Sequence, residues 1–390
     1  MDRLLLTVRE IRALLAATSA RTKAHNPKRP YPIGSDEWRR AVPSLSSWSE
    51  AAGPDEKILI ERGRPLRFDP GRLPPQEEIP GVNFLRSRSD VAEDIVMEVY
   101  RDVTVAFSPM GFAVWRGNAL FPCSSAIPDF DARRVPTDER RRVPSGFYAG
   151  DQFRTKSICH YTFDYVARAF FASSLFGLAA DELLFPPAVN DYQRTIKEAT
   201  FPSAAEVQFD TLYEFDTFYL SADSSAGLNH PAHHCDRRVM GFLRERVLKR
   251  LPKTGQAKRA GKLYLSRQDA RNRRPLLNEE EVETALRKLG YTILQMSTLP
   301  PATQISLVNE ARFVVAPHGA ALTSIAFAEA PATLIEIMNP NRGTLAYFKL
   351  AQSCDLFYRM LVAECPSDPR AMSIPLEKLT AAILDAEAGH

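Results

Sequence analysis

From residue 262 onwards the chain alternates short apolar runs with longer amphipathic ones. "KLYLS" (262–266), "YTILQM", "RFVVA", "ATLIEIM" and "LFYRMLV" are short, apolar and bounded by polar or turn-forming residues, and most are rich in β-branched or aromatic side chains, as buried strands are. Between them, "NEEEVETALRKLG", "PATQISLVNEA", "AALTSIAFA" and "TLAYFKLAQSC" read as helices. The first has Asn278 placed as N-cap, Glu281 at the capping-box position and Gly290 past its end. Five strands alternating with four helices predict a parallel, doubly wound sheet. Ligands of such sheets sit at the carboxyl ends of the strands. Ser266-Arg267 and His318-Gly319 both fall at that edge.

The first part of the chain is less regular. Residues 94–121 alternate like short strands, with turns at Pro109, Gly111 and Gly117. A helix over 157–178, a short strand over 182–186, a helix over 190–200, the extended "TLYEFDTFYLS" and a helix over 236–250 follow. Residues 25–80 and 128–146 are rich in Pro and Arg and read as irregular. The first 20 residues place Leu4, Val8, Ile11 and Leu15 on one helical face. That helix either packs on the protein or lies on a membrane surface, with Arg3, Arg9, Arg12 and Arg21 towards lipid phosphates. The polar stretch 249–262 reads as a linker. The expected organisation is an extension over 1–80, an α/β domain over 81–250 on the acceptor side, and a Rossmann-like domain over 251–390.

Composition adds little to this picture. With 45% hydrophobic and 25% charged residues the chain is an ordinary globular protein, and a net charge of +3 does not call for nucleic acid. Five cysteines, an odd number without a CxxC pair, argue for a reducing compartment rather than a disulfide framework. No window is long and apolar enough to span a membrane, so a cytoplasmic location is expected, with peripheral membrane contact through residues 1–20 left open.

Charge is informative only where it concentrates. From 237 to 274 there are fourteen Lys or Arg against Glu245 and Asp269, and Arg267, Arg271, Arg273 and Arg274 lie between a strand and a helix. A diphosphate held by guanidinium forks and a helix N-terminus needs one or two of these; the rest read as solvated surface. A nucleic-acid groove would want interleaved aromatics, which are missing. In "CHYTFDYVARA", His160, Asp164 and Arg168 recur every four residues and form a slanting stripe on one helix face. They suit general-base work on a hydroxyl, or else an ordinary charge ladder. "HPAHHCD" offers His230, His233, His234 and Cys235 as metal ligands, but without a second ligand pair at finger-like spacing, and Asp236 reads as a helix N-cap. No metal site is expected.

Taken together, "HYTFDYVAR", "YLSRQDARNRRPLLNEEEV", "VVAPHGAALTSIAF" and "TLIEI" resemble the family 61 glycosyltransferases, among them the capsular-polysaccharide type. The resemblance spans about 157–365. Ala167 replaces the usual proline before Arg168, Ala321 a glycine and Ser324 an asparagine, and "AEAPAT" follows Phe327 instead of a Pro-Pro-Gly turn. The resemblance implies a GT-B architecture, with two Rossmann-like domains facing a cleft, and inversion at the anomeric carbon. It implies a sugar moved from a nucleotide diphosphate, UDP first among them, to a hydroxyl of a glycan or lipid-linked saccharide in cell-surface polysaccharide synthesis. Arg267, with Arg271 or Arg274, the N–H groups of Gly319 and Ala320, and His318 would hold the donor without metal or other cofactor. Glu336, read as ending its strand, would accept from ribose hydroxyls. Asp164 would be the base with His160 orienting it, or the reverse.

Three rivals remain at this level. An epimerase or hydrolase on the same fold would consume donor without acceptor. A non-catalytic nucleotide- or sugar-binding subunit of a polysaccharide assembly complex gains weight from Ala321. A nucleic-acid binder rests on the basic linker alone.

Overall fold

The computed structural model describes residues 49–50, 53–62, 73–80, 94–108, 111–117, 119–121, 123, 140–151, 157–209, 211–222, 236–251, 261–270, 275–341, 343–365 and 368–389. The N-terminal helix of residues 1–20, Arg271, Arg273, Arg274 and the His230–Cys235 cluster lie outside these. The strands are β1 (Ser49–Glu50), β2 (Glu56–Glu61), β3 (Ile95–Ser108), β4 (Gly111–Arg116), β5 (Ala119–Leu120), β6 (Arg140–Tyr148), β7 (Leu183–Phe185), β8 (Ala205–Glu206), β9 (Leu212–Ser221), β10 (Lys262–Leu265), β11 (Thr292–Leu294), β12 (Phe313–Pro317), β13 (Thr333–Met338) and β14 (Phe357–Val362).

The chain forms two compact units that interleave in sequence. One draws on Met1–Gly63, Glu93–Asn190 and Phe201–Pro231; the other on Arg64–Ala92, Asp191–Thr200 and Ala232–His390. Both the Asp191–Thr200 helix and the Arg237–Leu248 helix thus belong with the C-terminal strands. Asp236 caps the latter as expected, its carboxylate accepting from Arg238 N at 2.8 Å.

In the C-terminal unit the five predicted strands form one sheet in the order β11-β10-β12-β13-β14, and every pairing is parallel. Their apolar content has the cause expected for such a sheet: both faces are covered. Val315, Ile335, Ile337 and Leu361 join a cluster with Val282 and Leu286 of the Glu279–Lys288 helix and Leu379 and Ile383 of the Leu376–Ala388 helix. Towards the other face, Phe348 of the Ala346–Ser353 helix meets Tyr358 edge to face at 5.3 Å. Because β10 precedes β11 in sequence yet lies between β11 and β12, the chain leaves β10 towards one edge and later returns to its other side. The strand order reverses there, so the switch point lies between the carboxyl ends of β10 and β12.

Two local readings differ. "AALTSIAF" is a 3₁₀ helix, Ala320–Phe327, rather than an α-helix. Asn278 makes no side-chain cap bond to its own helix. Its amide instead clamps Ile374, donating to the carbonyl at 2.8 Å and accepting from the N–H at 3.2 Å, which ties the helix start to the segment before the last helix.

The first unit departs further from expectation. Its nine strands run β1-β5-β4-β3-β9-β6-β7-β8, with β2 beside β3. β9, β6, β7 and β8 pair in parallel with one another, as do the two-residue strands β1 and β5; β3 pairs antiparallel with β2, β4 and β9, and β4 with β5. A Rossmann-like sheet is therefore present only in part. Residues 95–108 are one long strand, not several short ones. Two segments read as irregular contribute strands: residues 56–61 form β2 and 140–148 form β6. In β6 the exposed half, "RRRV", is held by charge: Arg140 reaches Glu214 at 2.6 Å and Arg142 reaches Asp216 at 2.9 Å, both on the neighbouring β9. An arginine run looks like loop until the acids of the next strand are seen beside it. An aromatic core of Tyr100, Phe107, Phe112, Tyr148, Tyr213, Phe215 and Phe218 fills this unit.

Candidate functional site

The C-terminal unit gathers its chemistry at the switch point. Ser266 and Arg267 follow β10 directly, and His318 and Gly319 follow β12. Arg267 is 8% exposed, and its Nη1 donates to the His318 carbonyl at 2.5 Å. The guanidinium lies against Gly319 so closely that a Cβ added there would overlap Nη1. Gly319 is extended, with φ at 174°, so the glycine is needed for space and not for an unusual backbone angle. The 3₁₀ helix starts immediately afterwards, with Ala320 exposed and Ala321 half-buried. A guanidinium and a helix N-terminus therefore share one corner, as an anion site requires.

That corner is buttressed from the helix that follows β10. Glu279 Oε1 accepts from Arg267 N at 2.6 Å, Tyr264 Oη at 3.1 Å and Ser266 Oγ at 3.2 Å. Glu283 Oε1 accepts from Ser266 Oγ at 2.9 Å and Gln268 Nε2 at 2.9 Å. Burial pushes the Glu279 carboxyl above its usual range, against the pull of its hydrogen bonds from Arg267, Tyr264 and Ser266. Sequence reading placed these two glutamates in a helix and gave them no role, the capping-box position falling on Glu281. Their spacing of four, facing the preceding strand end, was the signal available.

His318 is 7% exposed, and its Nδ1 lies 2.5 Å from Glu336 Oε1. Tyr347 covers the ring edge to face at 5.3 Å. Glu336 does not lie open to a ribose. It is the fourth residue of a six-residue strand, wholly buried, and its other oxygen accepts from Tyr358 Oη at 2.6 Å. The sequence expectation placed it at the strand's end, but β13 continues through Ile337 and Met338. Ser324 is buried and shares a hydrogen bond with Tyr192 of the Asp191–Thr200 helix at 3.2 Å.

In the first unit, β6 leads towards a helix that opens at Ser157, whose hydroxyl accepts from His160 N. The helix is α over Ile158–His160 and Val166–Ser174, with a π-helical segment, Tyr161–Tyr165, between. Such insertions occur often at functional sites. His160 Nδ1 lies 2.6 Å from Asp164 Oδ2; the imidazole is 34% exposed and the carboxylate 2%. The histidine is thus the outward member of the pair and Asp164 stands behind it. Arg168, four residues on, is buried like Asp164. It turns inward, 1% exposed, donates to the Ala149 carbonyl at 3.3 Å and lies over the Tyr165 ring at 5.8 Å. Tyr165 in turn donates to the buried Asp151 at 2.9 Å.

Residues 158–335 match the model of the Glycosyltransferase 61 family, somewhat less than half of the chain. The matched span includes His160, Asp164, Arg267, His318 and Gly319 and supports glycosyltransferase activity. No curated protein matches the chain.

Two outcomes follow for this site. Gly319→Ala should keep its far-UV circular dichroism yet bind a diphosphate anion at least about tenfold more weakly, because the added methyl displaces Arg267. For Glu279 the folded carboxyl holds its proton more tightly than the unfolded one. Its contribution to stability is therefore complete below the unfolded value and declines as pH rises through the folded one. The stability of wild type relative to Glu279→Gln, measured in urea, should fall as pH rises from the usual glutamate range.

Proposed function

We propose that the chain is an inverting glycosyltransferase that moves a sugar from a nucleoside diphosphate donor, UDP in the first instance, to a hydroxyl of a glycan acceptor in cell-surface polysaccharide synthesis. The observation that carries this reading is the Arg267 guanidinium packed on Gly319 beside the first donors of the Ala320–Phe327 helix, at the switch point of a parallel sheet. A departing diphosphate needs fixed positive charge and N–H donors where its negative charge grows. Arg267 and the N–H groups following Gly319 supply both, and His318 adds a ring nitrogen. On this reading the donor's diphosphate is held by side-chain and backbone donors, so binding is insensitive to chelators.

The His160–Asp164 pair supplies the base. Asp164 is too deeply buried to meet an acceptor directly, whereas His160 is partly open. The roles favoured by sequence reading therefore exchange. Asp164 accepts from Nδ1–H and holds the imidazole in one tautomer, and Nε2 takes the acceptor's proton as its oxygen attacks the anomeric carbon. The diphosphate leaves from the opposite side with its bonding pair, so configuration inverts. The GT-B assignment belongs to the same reading: one unit carries the base, the other the donor.

A thermal-shift panel of UDP, GDP, CDP, ADP and CMP, each with and without chelator, tests the donor half. One nucleoside diphosphate at a hundredfold over its Kd should stabilise by about 2.7 kcal/mol. Arg267→Ala should abolish that shift. His160→Ala and Asp164→Asn should keep it while lowering transfer by ~10²-fold or more. Fully active transfer by either variant would sink the base assignment, and binding without transfer in the wild type would favour the non-catalytic subunit instead.

A further inference from the structure

Three side chains on three different elements form a line behind the donor corner. In this parallel sheet Ala316, Glu336 and Met360 are register partners on β12, β13 and β14. Alternate residues of a strand share a face. Tyr358 lies two residues before Met360 on Glu336's face, and His318 lies two residues beyond Ala316, its N–H continuing the ladder to the Ile337 carbonyl at 2.9 Å. The three therefore make a diagonal across the sheet: Tyr358 Oη to Glu336 Oε2 at 2.6 Å, and Glu336 Oε1 to His318 Nδ1 at 2.5 Å. Glu336 is wholly buried and Tyr358 is 3% exposed.

We infer that Glu336 and Tyr358 are positioning residues that fix His318 as its Nδ1–H tautomer and aim Nε2 at the donor. This rests on the donor-binding reading of His318. The chemistry runs from the inside out. Burial and the neighbouring carboxylate push the Tyr358 hydroxyl well above the usual tyrosine range, so it stays protonated and can only donate to Glu336. With one oxygen held by that donor, the carboxylate's other oxygen is an acceptor, and the group facing it is His318 Nδ1. The proton of a neutral imidazole then sits on Nδ1, and Nε2 is left as the acceptor, or as a second donor once the ring is charged. Tyr347 against the ring edge restricts rotation out of that plane. A wholly buried carboxylate inside a strand is costly to desolvate unless its oxygens are satisfied, and here two donors satisfy them. An apolar residue would serve packing equally well at this position.

Nitrogen-15 spectroscopy of the histidine rings tests this on the whole chain without any ligand. His318, assigned by loss of its signal in His318→Gln, should show a protonated Nδ1. Glu336→Leu, an apolar replacement suited to the buried site, should release the ring towards the Nε2–H form and weaken binding of the preferred nucleoside diphosphate about tenfold. Glu336→Gln, whose amide oxygen still accepts from Nδ1–H, should restore most of both; Tyr358→Phe should weaken binding only about threefold. A wild-type ring protonated on Nε2 alone overturns the inference. So does a Glu336→Leu protein whose ring spectrum is unchanged. If the ring signals behave as expected while the wild type binds no nucleoside diphosphate, the positioning role stands and the donor reading falls.

Discussion

The close approach of one guanidinium to one backbone is the constraint around which the C-terminal unit is arranged. Arg267 can rest on Gly319 only if residue 319 has no side chain, if β10 and β12 are neighbours, and if both strands end at the same level. The doubly wound order meets the last two conditions, since it brings the first and third strands of the sheet together at the reversal. Glu279 then holds the arginine's backbone from the opposite side. A cation is thereby fixed before any ligand arrives, so little reorganisation is needed when negative charge develops.

Two histidine–carboxylate pairs occur among the described residues, and they differ in burial. In each, Nδ1 faces a carboxylate at hydrogen-bond distance. The His160 ring is about a third exposed, so its outer nitrogen can meet a substrate that comes and goes. The His318 ring is almost wholly enclosed between Glu336 and Tyr347, which suits a fixed binding group better than a proton carrier that must exchange with water. On the proposed reading the same pairing serves as a base in one place and as a rigid contact in the other, according to solvent access.

The parallel sheet was legible because its signal is local. Each buried strand is a short apolar run, each helix a periodic one, and the punctuation of Pro, Gly and Asn falls between them. His160, Asp164, Arg267 and His318 were legible through motif order and element ends. What stayed hidden depends on neighbours distant in sequence. β6 could not be read from "RRRV" because Glu214 and Asp216 lie more than seventy residues on. The burial of Asp164 and Arg168 is not announced by their spacing, which gives a helix face but not what covers it. The enclosure of Glu336 was hidden because its second partner, Tyr358, belongs to the next strand. The Tyr192–Ser324 bond spans 132 residues and leaves no trace in either local sequence.

That last pair has a consequence for synthesis. The Asp191–Thr200 helix belongs to the C-terminal unit, yet its sequence lies between stretches of the other unit. Its inner face carries Tyr192, Ile196 and Ala199 and packs against the Arg237–Leu248 and Pro301–Glu310 helices. Chains emerge N-terminus first, so this face leaves the ribosome well before the surfaces that cover it exist. The first unit can close its sheet on either side of the helix, but must carry it as an unfinished, partly apolar loop until the C-terminal strands arrive. Completion of one unit is thus tied to the other by the order of the chain itself.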